Sequence, residues 1–186
     1  WSVIPLPETA LQQKLSPRSI RRAVNGDFLV LMQSDTGNRV YVLSDDKWKP
    51  QEYPIILLED SRVRDCFLDN NSSLWILFET QNKFIVEKVD LNGTLHLTQL
   101  PSPKETDKWK WYERIIVDSA GRLWVNGSYP EFMAVFTPVW QGEATEIERY
   151  TEKNSDYQGD LSANPVMMPD GQIWVFDRHV ATMDTN

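Results

Sequence analysis

The chain has 186 residues, of which 41% are apolar and 25% are charged, a composition that can bury one sizeable hydrophobic core. Its formal charge of −8 at pH 7 argues against nucleic acid and anionic membrane surfaces as partners. Its apolar runs are shorter than the roughly 18 residues that span a bilayer, so we expect no membrane insertion of this segment.

Turn-forming residues run directly into an apolar strand at four places along the chain. These strands begin at Phe28, Leu74, Leu123 and Ile173, at intervals of about 46 to 50 residues. An interval of that length holds four short strands, and its repetition is typical of β-propeller blades. We therefore predict an all-β propeller of about four blades, each made of four antiparallel strands.

The repeat divides the chain into four units, each predicted to form one sheet. In the second and third units, polar turns separate all four apolar strands. In the first unit, Pro50 and Pro54 fall in the last strand. Because proline donates no ladder hydrogen bond, we place that strand at an outer edge. The predicted units are approximately 18–57, 62–100, 111–150 and 162–186, with 1–7 added to the last.

The two ends of the chain match neighbouring parts of the same repeat. Residues 179–186 align with the third strand of the second unit, and residues 1–7 align with its fourth strand at 95–101. One interpretation is that strand 1–7 completes the last blade and closes a ring of four, which removes the open edge. The other is that the chain is a segment of a larger propeller, with further blades or a second chain as partners.

The second strand of a unit is apolar at every position in two of the units. Residues 28–32 and 74–78 include no polar side chain, so both faces of these strands must be covered. Propeller blades stacked face to face supply that environment. We therefore assign Trp75, Trp124 and Trp174 to packing between neighbouring sheets.

Residues that carry chemistry are sparse. Cys66 is the only cysteine and has apolar neighbours, which excludes an intramolecular disulfide and favours a buried side chain. His96 falls in an outer strand, where we expect a surface or packing role, and the basic residues Arg18, Arg21 and Arg22 are expected in a solvated loop. The motifs of a serine-hydrolase elbow, a phosphate-binding loop, a zinc peptidase and an EF-hand do not occur. We predict no catalytic residue, no metal site and no cofactor.

A turn-and-strand pattern, Asp-x-x-Gly-x-Leu-Trp-Val, is complete at 118–125 and approximate at 69–76 and 169–175. This pattern resembles the two-component regulator propeller repeat, and four units of it cover most of the chain. The second unit departs from it at Ser73, and the first lacks the Trp. The resemblance implies a bacterial sensor region outside the cytoplasm, periplasmic or extracellular. A more distant resemblance is to the virginiamycin B lyase propellers, but the sequence offers no motif for that family's catalytic His and Glu.

The loops on one face of a propeller are the expected ligand site. Loops that join one blade to the next emerge on the same face as those that join second to third strands, and binding residues concentrate on such loops. Their aromatic, charged and amide side chains suit a sugar ring or a peptide. The candidate ligand-binding residues on this face are Trp109, Tyr129, Asp156, Tyr157, Arg178 and His179.

We therefore expect a non-catalytic binding or sensing module for a glycan, a peptide or another protein. The alternatives are a lyase or glycan-active enzyme that uses the same face, and a structural docking module of a larger assembly. The scarcity of catalytic residues ranks the enzyme second.

Overall fold

The described part of the protein is built almost entirely from β-strands, which confirms the all-β prediction. In the computed structural model it comprises residues 4–22, 26–34, 37–50, 61–69, 71–81, 83–102, 111–128, 132–151, 153–155, 164–168, 172–176 and 180–183. Within these ranges the helical structure is one short segment, α1 (Glu8–Gln12). In this part of the chain, no helix has the length and apolar character to cross a membrane.

The strands form four sheets that follow one another along the chain. The first sheet contains β1 (Ser16–Arg22), β2 (Phe28–Ser34), β3 (Gly37–Ser44) and β4 (Lys47–Pro50). The second contains β5 (Arg62–Leu68), β6 (Leu74–Thr80), β7 (Lys83–Val89) and β8 (Leu95–Leu100). The third contains β9 (Trp111–Val117), β10 (Leu123–Ser128), β11 (Phe132–Thr137) and β13 (Thr145–Tyr150). The fourth contains β14 (Asn164–Met167), β15 (Ile173–Phe176) and β16 (Val180–Met183). All these strands pair antiparallel.

One connection of the third sheet crosses to the second sheet. Residues 138–144, which we call the strap, join β11 to β13 and include β12 (Gly142–Glu143). Strand β12 pairs parallel to β8, with Gly142 opposite Thr98, so the second sheet has five strands. The sequence predicts only four strands there. The fifth strand, β12, was not predicted because a pairing of two residues leaves no apolar pattern in the sequence.

Neighbouring sheets pack face to face and meet at their first strands. Strand β1 contacts β5, β5 contacts β9, and β9 contacts β14. One apolar cluster joins the first and second sheets and includes Leu29, Leu31 and Ile76. A larger one joins the second and third sheets and extends to Ile173 and Val175 of the fourth.

The apolar second strands are covered on both faces, as predicted, except at Phe28 in β2, which is 42% exposed. The first five positions of β6 are buried. The side chains of Trp75 and Trp124 are 3% and 1% exposed and lie in the cluster between sheets, which confirms their packing role. Trp174 is half-buried, and its indole Nε1 donates to Gln172 Oε1 over 3.3 Å. Cys66 is fully buried, also as predicted.

The segment before β1 covers the face of the first sheet that points away from the second sheet. Ala10 of α1 is buried in a cluster with Val30 and Met32, and Trp48 Nε1 donates to the carbonyl oxygen of Pro5 over 2.6 Å. Residues 4–7 contain no strand, so the strand predicted over 1–7 is wrong for its described part. The physical reason is that prolines at 5 and 7 lack ladder donors and that the segment continues into α1. Residues 1–3 lie outside the described ranges.

Candidate functional site

All six candidate ligand-binding residues predicted from the sequence lie outside the described residues: Trp109, Tyr129, Asp156, Tyr157, Arg178 and His179. Their segments follow the ends of β8, β10, β13 and β15. In an antiparallel sheet those ends lie opposite the turns that join first to second and third to fourth strands. We call the edge formed by these turns, at 69–73, 90–94 and 118–122, the turn edge. It is the edge at which the described residues form a cleft.

The turn between β9 and β10 is organised by one carboxylate. Asp118 Oδ1 accepts hydrogen bonds from the backbone amides of Ala120 and Arg122, over 3.0 and 2.9 Å. Its Oδ2 accepts from Trp124 Nε1 over 2.8 Å and from Arg122 Nε over 2.6 Å. Gly121 has φ of +77°, a conformation that glycine adopts at the least cost. The carboxylate therefore fixes both the turn and the buried indole.

The turn between β5 and β6 repeats this arrangement. Asp69 Oδ1 accepts from the amides of Asn71 and Ser73, over 2.9 and 2.8 Å, and Oδ2 accepts from Trp75 Nε1 over 2.8 Å. The Asp and Trp of the sequence pattern are thus joined in both complete sheets that contain them. Their spacing serves the fold of the turn, which explains the pattern without a ligand.

A cleft of about 500 Å³ lies between these two turns. Turn residues of the second and third sheets form its two sides, and the strap contributes to a third side. The lining residues are Asp69, Asn71, Trp75, Lys88, Val117, Asp118, Ser119, Ala120, Gly121, Arg122, Thr137, Pro138 and Trp140. Its volume falls in the range of roughly 300 to 1,000 Å³ that is usual for small-molecule sites.

Trp140 is the exposed aromatic side chain of this cleft. It is 39% exposed. Its ring centroid lies 5.8 Å from that of Trp75 and 5.1 Å from that of His96. An indole held by two other rings yet open to solvent is a rigid apolar surface on which a ligand ring can stack.

The strap holds Trp140 in place through β8. Thr98 Oγ1 accepts from the amide of Val139 over 3.2 Å and donates to the carbonyl of Gly142 over 3.3 Å. The amide of Gln141 donates to the carbonyl of Leu97 over 2.7 Å. These contacts fix the backbone on both sides of Trp140, so the position of its ring depends on the strap.

Asp90 contacts three polar side chains near Trp140. Its carboxylate lies 2.8 Å from Lys88 Nζ, 3.0 Å from His96 Nε2 and 3.1 Å from Ser73 Oγ. The hydrogen bond from the Lys88 ammonium, with those from His96 and Ser73, holds the pKa of Asp90 below its ordinary value. Lys88 Nζ also lies 5.4 Å from the centroid of the Trp75 ring. The lysine charge is thus balanced within the protein.

The Ser73, Asp90 and His96 side chains do not form a catalytic triad. In a triad the imidazole lies between the hydroxyl and the carboxylate, so that it can take the hydroxyl proton. Here the carboxylate lies between the other two, and Ser73 is only 4% exposed. Among the described residues, no group of three or more His, Cys, Asp and Glu side chains could hold a metal ion. The arrangement can bind and orient a ligand.

The sequence interpretation missed Trp140 and Lys88, which line this cleft, and also Asp90 and Thr98, which contact Lys88 and the strap. It placed binding on the loops at the opposite edge. A signal was present, because Trp140 is followed by Gln141 and Gly142, a polar turn in which a large aromatic side chain has no strand to pack in. The pairing of β12 with β8 has no comparable signal.

Comparison with known proteins gives a fold likeness. No family model and no curated protein matches the chain. A solved protein of unknown function from Bacteroides caccae is similar at 12% identity and a TM-score of 0.56, over 92% of this chain and 57% of that one. A catalytically inactive virginiamycin B lyase from Staphylococcus aureus, solved with quinupristin, is similar at 15% identity and a TM-score of 0.49, over 88% of this chain and 49% of that one. The chain therefore spans about half the length of these structures, and at such identity the likeness concerns the fold alone.

Proposed function

We propose that this chain is a non-catalytic binding or sensing module that takes a glycan or peptide ligand in the cleft at the turn edge. The observation that carries the proposal is Trp140, 39% exposed and held between the strap and the rings of Trp75 and His96. The exposed part of the indole is apolar surface that a ligand can cover, and tryptophan is enriched where binding energy concentrates.

The charges of the cleft favour an uncharged ligand group over an ionic one. Lys88 is paired with Asp90, and Arg122 is paired with Asp118. A sugar ring or a peptide side chain offers an apolar face for Trp140 and a polar rim for the turns. The ligand group that stacks on Trp140 is therefore expected to be neutral.

The loops at the opposite edge are a second candidate surface of the same module. They carry the six residues predicted from the sequence, among them Trp109 and Tyr157. The lyase or glycan-active enzyme is the second alternative, and the Ser73, Asp90 and His96 group does not supply it with a catalytic triad. A structural docking module stays the other alternative, and it predicts no small ligand at either edge.

For the architecture, we propose that the four sheets are successive blades of a β-propeller. The support is the meander of each sheet and the contact of each first strand with the next, from β1 through β14. Helix α1 lies on the face of the first sheet that a last blade would need in order to close a ring of four. We therefore favour a place in a larger propeller over a closed ring of four blades.

We also propose that the repeat belongs with the two-component regulator propeller repeats, and that the module works outside the cytoplasm. The hydrogen bonds from Trp75 to Asp69 and from Trp124 to Asp118 support the repeat, because they give its two most distinctive residues one shared role. The location rests on the resemblance.

The test is a binding screen on immobilised glycans and peptides. We expect the natural protein to retain a ligand that Trp140→Ala does not retain. Phe28→Ala is the matched control, since Phe28 is 42% exposed and outside the cleft. Because truncation could loosen the strap, each variant is first compared by thermal unfolding. Two results would place the site at the other edge instead. One is that Trp140→Ala binds the ligand as well as the natural protein does. The other is that only Trp109→Ala and Tyr157→Ala fail to bind it.

A further inference from the structure

A buried carboxylate links the first strands of the first, second and third sheets. Asp65 of β5 has no exposed surface. It accepts from Arg21 of β1 through Nε and Nη2, over 3.2 and 2.6 Å, and from the amide of Ile115 of β9 over 3.0 Å. The prediction that Arg18, Arg21 and Arg22 lie in a solvated loop is wrong, because all three are in β1. Buried charges require such partners.

A second arginine forms a longer ion pair with the same carboxylate, without a hydrogen bond. Arg114 Nη1 of β9 lies 3.7 Å from Asp65 Oδ1, beyond hydrogen-bond distance, and the Arg114 side chain is 38% exposed. Among the described residues, no other carboxylate lies within ion-pair distance of Arg114. Arg21 already takes one oxygen through each of two nitrogens. Two guanidinium charges thus face one carboxylate.

The backbone directs these side chains. The register of β5 against β6 shifts between Val63 and Asp65, and that of β9 against β10 shifts just before Arg114. Such β-bulges re-aim the side chain that follows them and are over-represented next to functional sites. Asp65 and Arg114 are the first paired residues after their bulges.

We propose that Arg114 binds an oxyanion, a carboxylate or phosphate group, at the line where the first strands of the second and third sheets meet. The excess positive charge beside a neutralised Asp65 attracts the anion, and the planar guanidinium offers paired N–H donors to it. Arg21 contributes charge, and its Nε and Nη2 donate to Asp65. This site is separate from the cleft at the turn edge and does not rest on the proposed function.

The experiment is calorimetric titration with inorganic phosphate and, separately, with acetate, at constant ionic strength because exposed charges are screened by salt. We expect the natural protein to bind at least one anion and Arg114→Gln to bind it at least about tenfold more weakly. Arg114→Lys, which keeps the charge but loses the planar fork, should fall between them. The anion that binds more tightly identifies phosphate or carboxylate as the ligand group.

Arg39→Gln is the matched control, because Arg39 is exposed on β3 of the first sheet and its loss changes the net charge equally. It should bind as the natural protein does. The proposal is overturned if neither anion binds to the natural protein, if Arg114→Gln binds as well as it does, or if Arg39→Gln is weakened as much. Arg21 is left intact, since its loss would strand the buried charge of Asp65.

Discussion

The indole of Trp124 donates a hydrogen bond of 2.8 Å to Asp118 Oδ2, six residues earlier in the chain. The same bond joins Trp75 to Asp69. The indole is buried between sheets and its N–H has no access to water, so the carboxylate supplies the acceptor it requires. This pair explains why a polar turn and a buried tryptophan recur together in the sequence.

Asp118→Asn should destabilise the protein by about 2 to 4 kcal/mol, measured as the free energy of unfolding in urea. The amide keeps one oxygen for the turn, but its NH₂ group would then face the donors of Trp124 and Arg122. Asp45→Asn is the control, because Asp45 is exposed in a turn with φ of +50°, which asparagine tolerates. Equal stability of the two variants would show that the Asp118 contacts contribute nothing.

The stability of the protein should fall between pH 10 and 12 partly through Tyr112. Burial raises the pKa of Tyr112 to about 12, and its hydroxyl donates to the carbonyl of Pro101 over 3.1 Å. Since the folded pKa lies above the unfolded one, the neutral form stabilises the fold below about pH 10, and this contribution is lost as pH rises toward 12.

Tyr112→Phe removes that titration and one hydrogen bond. It should be less stable than the natural protein by about 1 kcal/mol at pH 8, and the difference should shrink or reverse by pH 11. Urea unfolding at the two pH values measures this. A constant difference across the range would mean that the Tyr112 hydroxyl ionises alike in both states.

Thr98→Val should weaken ligand binding without touching the cleft. Valine has nearly the same shape but makes neither hydrogen bond to the strap, to Val139 or to Gly142. We expect a loss of about 1 to 2 kcal/mol in unfolding free energy. We also expect lower affinity for the ligand found in the binding screen, because the strap positions Trp140. Unchanged affinity with reduced stability would show that Trp140 is held by its ring contacts alone.

Sequence reasoning recovered the parts of the fold that are set by local pattern. The apolar run of β6 and the spacing of Asp118 and Trp124 involve residues that are close together in the sequence. Such local patterns predict strands and turns. The strap could not be predicted from the sequence. Its strand β12 pairs with β8, about 44 positions away, through two residues that carry no apolar pattern.

Helix α1 was missed for a related reason. It has five residues, too few for apolar side chains to recur at helical spacing, and Ala10 packs it on the first sheet. The cleft is harder still, since it exists only where turns of two sheets and the strap meet.

The central claim is that the cleft at the turn edge binds the ligand. Its most direct test is hydrogen–deuterium exchange with and without the tightest-binding ligand from the binding screen. We expect slower exchange in residues 69–75, 117–122 and 137–141, which surround Trp140. Slower exchange confined to 103–110, 129–131, 156–163 or 177–179, or no change at all near Trp140, would contradict the account.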